Sequence, residues 1–139
     1  SMSNLASGYW DAAMRDKALP LMEETFTLTK ARLGPDHSST LAALSNLAEG
    51  YKDSGILDKA LPRLEELFKL RKAKLGSDHP DTLITMNSLA LGYKNANQLD
   101  KALPLYEETL KQMKAKLGSD HPDTLSCMSN LASGYWSAG

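Results

Sequence analysis

A repeat of 42 residues constrains this chain more than any other feature of its sequence. Asp16-Lys17-Ala18-Leu19-Pro20 recurs as Asp58 to Pro62 and again as Asp100 to Pro104. Leu33-Gly34, Leu75-Gly76 and Leu117-Gly118 keep the same step, as do Gly8-Tyr9, Gly50-Tyr51, Gly92-Tyr93 and Gly134-Tyr135. Self-similarity at a period of this size means an array of supersecondary units, each burying its apolar face only against its neighbours. The expected organisation is one repeat domain over residues 1-139, with units at about 1-40, 41-82 and 83-124 and a half unit at 125-139.

Each unit reads as two helices. In the third, Thr82, Leu83, Met86, Leu89, Ala90 and Tyr93 follow helical spacing, and so do Leu99, Ala102, Leu103, Tyr106, Leu110, Met113 and Leu117. Between the stripes, Gly55 and Asn97 tolerate the left-handed conformation that ends a helix. Gly34, Gly76 and Gly118 close the second helix, with Lys72, Lys74, Lys114 and Lys116 complementing its dipole. In Ser77-Asp78-His79-Pro80-Asp81 and its copy Ser119 to Asp123, Ser or Asp is expected to cap the next helix and Pro to fit its first turn. Pro20, Pro62 and Pro104 are expected in the first turn of each second helix, where a missing N–H costs little. No segment alternates as a strand would, so the class is all-α.

Charge and composition narrow the function. Lys and Arg number 16 against 17 Asp and Glu, a formal net charge of -1, so no basic field draws nucleic acid or an anionic membrane surface. The single cysteine, Cys127, excludes an intramolecular disulfide and a multi-cysteine metal site, and suits a reducing, cytoplasmic compartment. No run approaches the ~18 apolar residues of a membrane span, and the N-terminus lacks a signal pattern. Partners are expected to be proteins or peptides.

Residues that invite chemistry have plainer readings. His37, His79 and His121 recur at one connector position, too far apart to share a metal whose donors stand at ~2.0–2.1 Å, so they are assigned to helix initiation and loop packing. In Glu23-Glu24, Glu65-Glu66 and Glu107-Glu108 the side chains point about 100° apart, and Lys69 and Lys111 lie four residues after Glu65 and Glu107, the spacing of surface ion pairs. Lys69, Arg71, Lys72 and Lys74 read as a solvated face that complements a helix dipole. Cys127 has no basic neighbour in sequence and reads as an inert thiol. No Ser/His/Asp order, phosphate loop or nucleophile elbow is present, so neither an enzyme nor a cofactor is expected.

Asn46-Leu47-Ala48, Gly50-Tyr51, Gly55 and Ala60 match the Leu, small, aromatic, turn-Gly and Ala positions of the tetratricopeptide repeat, and essentially the whole chain resembles that family. The long unit, with its connector from Leu117 to Leu125, is similar to the kinesin light chain class. This resemblance implies a right-handed α-solenoid of antiparallel helix hairpins, and a non-catalytic scaffold whose first helices line a concave groove for an extended peptide or partner helix. Carried across, the groove positions are Ser3, Ser45, Asn87 and Ser129, then Ser7, Glu49, Leu91 and Ser133, then Trp10, Lys52, Lys94 and Trp136. Chaperone-binding members grip a carboxylate there with Lys, Arg and Asn, and the Ser, Glu and Leu of this chain disfavour such a clamp. Asn87 matches the Asn that bonds a peptide backbone in kinesin-light-chain-like members, its amide donating and accepting at once. Asn4, Asn46 and Asn130, one position further, face the groove edge or bond the neighbouring helix.

The two ends match each other: Met2 to Trp10 is identical to Met128 to Trp136. One reading is duplication within a longer array. Another is association through open terminal faces, with Leu5, Tyr9 and Trp10 at one end and Leu131, Tyr135 and Trp136 at the other. Helix 126-138 of one chain would then cover or replace helix 2-12 of another against helix 16-33, by stacking or exchange. Ala13 stands where Gly55 and Asn97 stand, and a left-handed Ala costs roughly 1–2 kcal/mol, so the first hairpin is expected to be the weakest. A homotypic assembly segment and a regulatory fragment of a larger signalling protein are the alternatives to the scaffold.

Overall fold

Two kinds of connector cut the chain into helices. The computed structural model describes residues 12–139, with side chains from Met14 onward, and among the described residues there are six helices and no strand. They are α1 (Ala12–Leu33), α2 (Ser38–Asp53), α3 (Leu57–Leu75), α4 (Pro80–Asn95), α5 (Leu99–Lys116) and α6 (Pro122–Ala138). Each packs on the next, and α4 also touches α6. This is an all-α repeat solenoid in which α2, α4 and α6 are the first helices of their units and α1, α3 and α5 the second.

The connector inside a unit is a paired-bond helix ending. Gly55 has φ 75° and Asn97 φ 62°. The Gly55 N–H donates to the Lys52 carbonyl at 3.0 Å and that of Ile56 to Tyr51 at 2.9 Å, while Asn97 and Gln98 repeat the pattern on Lys94 and Tyr93. The connector between units turns at Gly76, whose φ of 100° and ψ of 156° lie where only glycine goes cheaply. The next helix is then capped by histidine rather than by the expected Ser or Asp. Nδ1 of His37, His79 and His121 accepts from the backbone N–H of Ser39, Asp81 and Asp123 at 3.0–3.1 Å. Extended backbone at His79 (φ -64°, ψ 139°) aims the ring nitrogen at the free N–H groups of the first turn, as a shorter Ser or Asp cap does elsewhere. Pro80 and Pro122 open their helices, where no N–H is needed.

Two expectations are corrected at the second helices. Pro62 and Pro104 lie past the first turn, inside α3 and α5, and Pro20 is deeper still in α1. The rings are exposed, and each helix continues through the one backbone bond it loses because neighbouring side chains such as Ala60, Leu61 and Leu64 are buried. Ala13 is helical, not left-handed: α1 begins at Ala12 and runs without a turn, since Ala is the best helix former and no glycine stops it. Asn97 is the non-glycine residue with positive φ among those described. Leu5, Tyr9 and Trp10, with Ser3, Asn4 and Ser7, lie outside the described residues.

The core runs from α1 to α6 in three parts. Leu19, Phe26, Leu41, Leu44, Leu47 and Tyr51 form its first part, Ala48, Leu61, Leu64 and Leu89 its middle, and Leu83, Met86, Tyr106, Met113, Cys127 and Leu131 its last. Phe68, Tyr93 and Leu105 pack against the last two parts and join them. Each Gly-Tyr pair marks a close approach. A Cβ at Gly50, Gly92 or Gly134 would stand 3.1, 3.0 or 2.9 Å from Cδ2 of Leu19, Leu61 or Leu103 on the preceding second helix, so hydrogen in place of a methyl group lets the two backbones close.

Burial also sets the titration of the core. The Cys127 thiol donates to the Tyr106 carbonyl at 3.7 Å, and desolvation pushes it up to about 11. Tyr51 and Tyr93 are pushed up to about 12, by burial first and then by hydrogen bonds to Glu23 and Glu65. A group whose folded pKa exceeds its unfolded value holds its proton more tightly in the native state. Its contribution is complete below the unfolded value and is lost as pH rises through the folded one.

Two outcomes follow for stability. His79→Ala is expected to cost about 1 kcal/mol in urea unfolding, with His79→Asn retaining most of the cap. The urea midpoint is expected to hold steady up to about pH 9, then to fall as Cys127 and the tyrosines ionise. Cys127→Ala removes the earliest part of that fall and leaves the steeper part above about pH 10.

Candidate partner-binding site

The first helices carry the expected groove residues in rows. Ser45, Glu49 and Lys52 stand on α2, Asn87, Leu91 and Lys94 on α4, and Ser129, Ser133 and Trp136 on α6. All six residues on α2 and α4 are half-buried, and those on α6 are exposed. Two rungs tie α4 to α6: Lys94 Nζ donates to Ser133 Oγ at 2.6 Å, and Asn130 Nδ2 donates to Asn87 Oδ1 at 3.4 Å. Asn130 therefore bonds the neighbouring helix. The Asn87 oxygen is engaged and its two N–H donors are not, among the described residues. No hydrogen bond among these residues joins the α2 row to the α4 row.

A difference between units changes the electrostatics. On α2, Lys52 pairs with Glu49 at 2.8 Å. On α4, Leu91 replaces that glutamate and packs against the core, so Lys94 has no carboxylate within ion-pair distance among the described residues. The result is a lysine, half-buried as a residue, whose ammonium bonds only a serine among the described residues, with Leu91 one turn and Asn87 two turns before it on the same helix. Such a group has spare donors for a carboxylate or a carbonyl.

A second set of contacts escaped the sequence reading. The phenols of Tyr51 and Tyr135 donate to Glu23 at 2.6 Å and Glu107 at 2.9 Å, and Tyr93 donates likewise to Glu65. Glu65 and Glu107 thus serve tyrosines of the following helix rather than Lys69 and Lys111. The signal was present as a constant separation of 28 residues between each glutamate and its tyrosine. Lys59 lies 5.7 Å above the Tyr51 ring and Lys101 5.5 Å above that of Tyr93. A cleft of about 570 Å³ opens beside Tyr93, lined by Glu65, Phe68, Lys101, Pro104 and Leu105 among others. Beside Tyr51 the place of Leu105 is held by Arg63, which pairs with Glu23 at 3.2 Å. The basic cluster of α3 is also engaged: Arg71 donates to Thr85 at 2.8 Å and Lys74 to the Asp36 carbonyl at 2.6 Å.

At the far end Leu131 is 8% exposed and belongs to the core, not to an open face. Trp136 is 89% exposed. Among the described residues no three His, Cys, Asp or Glu side chains gather as a metal site, and no helix is long and apolar enough to cross a membrane.

The tetratricopeptide repeat model matches residues 1–73, 51–115 and 93–139. Similar solved structures include the kinesin-light-chain-like protein of nearly identical TPR-like repeats from Podosopora anserina, 29% identical with a TM-score of 0.84 over 95% of this chain and 63% of that one. A single-substitution variant of it has a TM-score of 0.85 at 29% identity, covering 95% of this chain and 62% of its own. BtubC (BKLC) from P. vanneervenii shares the fold at 23% identity and a TM-score of 0.80, over 98% of this chain and 54% of that one. This chain therefore spans less than two thirds of each of these structures. Among curated proteins none matches it. Connectors and helix packing agree with these likenesses to kinesin-light-chain-like structures, and the chain belongs to the tetratricopeptide repeat family.

Proposed function

We propose that this scaffold holds an extended peptide, or a helix of a partner protein, across α2, α4 and α6, within a single repeat domain. Ser45, Glu49, Lys52, Asn87, Leu91, Lys94, Ser129 and Ser133 are the contact residues, with Asn87 and Lys94 as anchors. The observation that supports this reading is the half-buried Lys94 without a carboxylate partner among the described residues, two turns along the same helix from an Asn87 amide with donors to spare. A ligand fitting that pair offers a backbone carbonyl to Asn87 and an acidic group to Lys94, while Leu91 takes an apolar side chain. Lys52, already neutralised by Glu49, is the weaker attraction. Partners of this chemistry are acidic, extended segments.

The test selects binders from a displayed library of random peptides and measures their affinity by fluorescence anisotropy. Acidic sequences are expected to be enriched. Asn87→Ala combined with Lys94→Glu should weaken the best binder by about tenfold or more, since a hydrogen bond to a charged group contributes about 1.5–3 kcal/mol. Asn130→Ala, which removes only the helix-to-helix rung, should change affinity far less. An undiminished affinity in the double variant would refute the groove as the site.

A further inference from the structure

The second helices of neighbouring units build one side-chain cluster twice, with a single member exchanged. In the first copy Arg63 of α3 reaches back to α1. Its guanidinium stands 5.0 Å over the Phe26 ring, 3.2 Å from Glu23 and 3.4 Å from Glu66 on its own helix. One repeat later the same partners recur as Phe68, Glu65 and Glu108, but Leu105 takes the place of Arg63. A leucine carries no charge to pair with them. Among the described residues Glu65 and Glu108 have no ion pair: Glu65 accepts from the Tyr93 phenol and Glu108 from the Gln112 amide.

The exchange changes the cleft beside each cluster. Phe26, under the guanidinium, is 3% exposed and does not line the cleft beside Tyr51. Phe68 is half-buried and, with Leu89 and Leu105, gives the cleft of about 570 Å³ beside Tyr93 its apolar wall. Three carboxylates, those of Glu65, Asp100 and Glu108, line it against one lysine, Lys101, which lies over the Tyr93 ring. The contacts already made there leave room for a cation. Glu23 accepts from the Tyr51 phenol and from Arg63 at once, so the phenol on Glu65 does not exhaust that carboxylate. Lys72 lies 5.8 Å over the Phe68 ring, yet Lys30 lies 5.7 Å over Phe26 while Arg63 shares the same ring. The cleft sits between α3, α4 and α5 in the middle of the array, and all its lining residues are described ones.

We propose that the cleft beside Tyr93 receives an arginine side chain of a partner protein, whose guanidinium takes over the Phe68 ring the place that Arg63 holds over Phe26. The chain thus contains its own example of the occupant. A guanidinium is flat and weakly hydrated, so its face can lie on an aromatic ring while its edge donates to Glu65 and Glu108. An ammonium offers no such face, and an apolar side chain would leave both carboxylates unpaired. This site is separate from the Asn87 and Lys94 pair and opposite to it in charge, and it stands without the peptide groove.

The test uses three displayed peptide libraries with arginine, lysine or leucine fixed at the centre and random residues on either side. Each is selected on the native chain and counter-selected on Leu105→Arg, which supplies the guanidinium from within and, since Arg63 stands at the same place one repeat earlier, leaves the helical circular dichroism unaltered. The arginine library is expected to yield binders that the variant does not retain, and the other two are not. In fluorescence anisotropy the best binder should lose about fivefold or more when citrulline, uncharged and of nearly the same shape, replaces its arginine. Glu65→Gln, at an exposed position, should weaken it by about two- to fivefold, while Asn87→Ala with Lys94→Glu should leave it unchanged, which separates this site from the groove. The proposal is overturned by an arginine library without binders specific to the native cleft, by lysine or leucine libraries that serve equally well, or by a best binder indifferent to citrulline or to Glu65→Gln. It is overturned too by a best binder lost in the groove variant.

Discussion

Each first helix rests on the second helix before it through a glycine and the tyrosine that follows. The glycine lets a leucine side chain sit where a Cβ would stand, at 2.9–3.1 Å in the three instances described, and the tyrosine hydroxyl reaches a glutamate on the same helix. One contact sets how near the helices come and the other fixes their register. Repeated every 42 residues, this pair of constraints turns a row of hairpins into a solenoid without any long-range pairing.

Regularity of that kind leaves function to the exceptions. Where Glu49 neutralises Lys52, Leu91 leaves Lys94 with only Ser133 among the described residues. Arg63 gives the cleft beside Tyr51 a cation paired with Glu23, and Leu105 gives the corresponding cleft beside Tyr93 an apolar wall. Neither substitution disturbs the packing, because both lie at the margin of the core. Binding surfaces on such an array are changed one residue at a time while the scaffold stays the same, which is why family membership names a type of function but no partner.

Much of the architecture was legible in advance because its determinants are local. Gly55 and Asn97 end helices through their own backbone conformation, and the stripes of α4 and α5 follow from spacing along a single helix. Counting in steps of one repeat also put the candidate groove residues from Ser45 onward on the first helices α2, α4 and α6. What counting missed is informative. The histidines were rightly assigned to helix initiation, but Ser or Asp was expected as the cap itself, a place taken by a ring nitrogen that meets a backbone N–H two residues away. The glutamates of the Glu-Glu pairs were assigned to lysines four residues on, yet tyrosines of another helix claim them, since a contact between packed helices outweighs an exposed pair on one helix surface.

The division is sharpest at the two ends. Composition, period and turn residues establish an all-α repeat array and the identity of residues 2–10 with 128–136, because these properties reside in the chain order itself. Which side of α6 is open, that Leu131 lies beneath it and Trp136 outside, and that Tyr135 has found its glutamate but no lysine among the described residues, were decided by packing. The sequence shows which face of a helix is apolar, and only the positions of its neighbours determine which part of that face meets water.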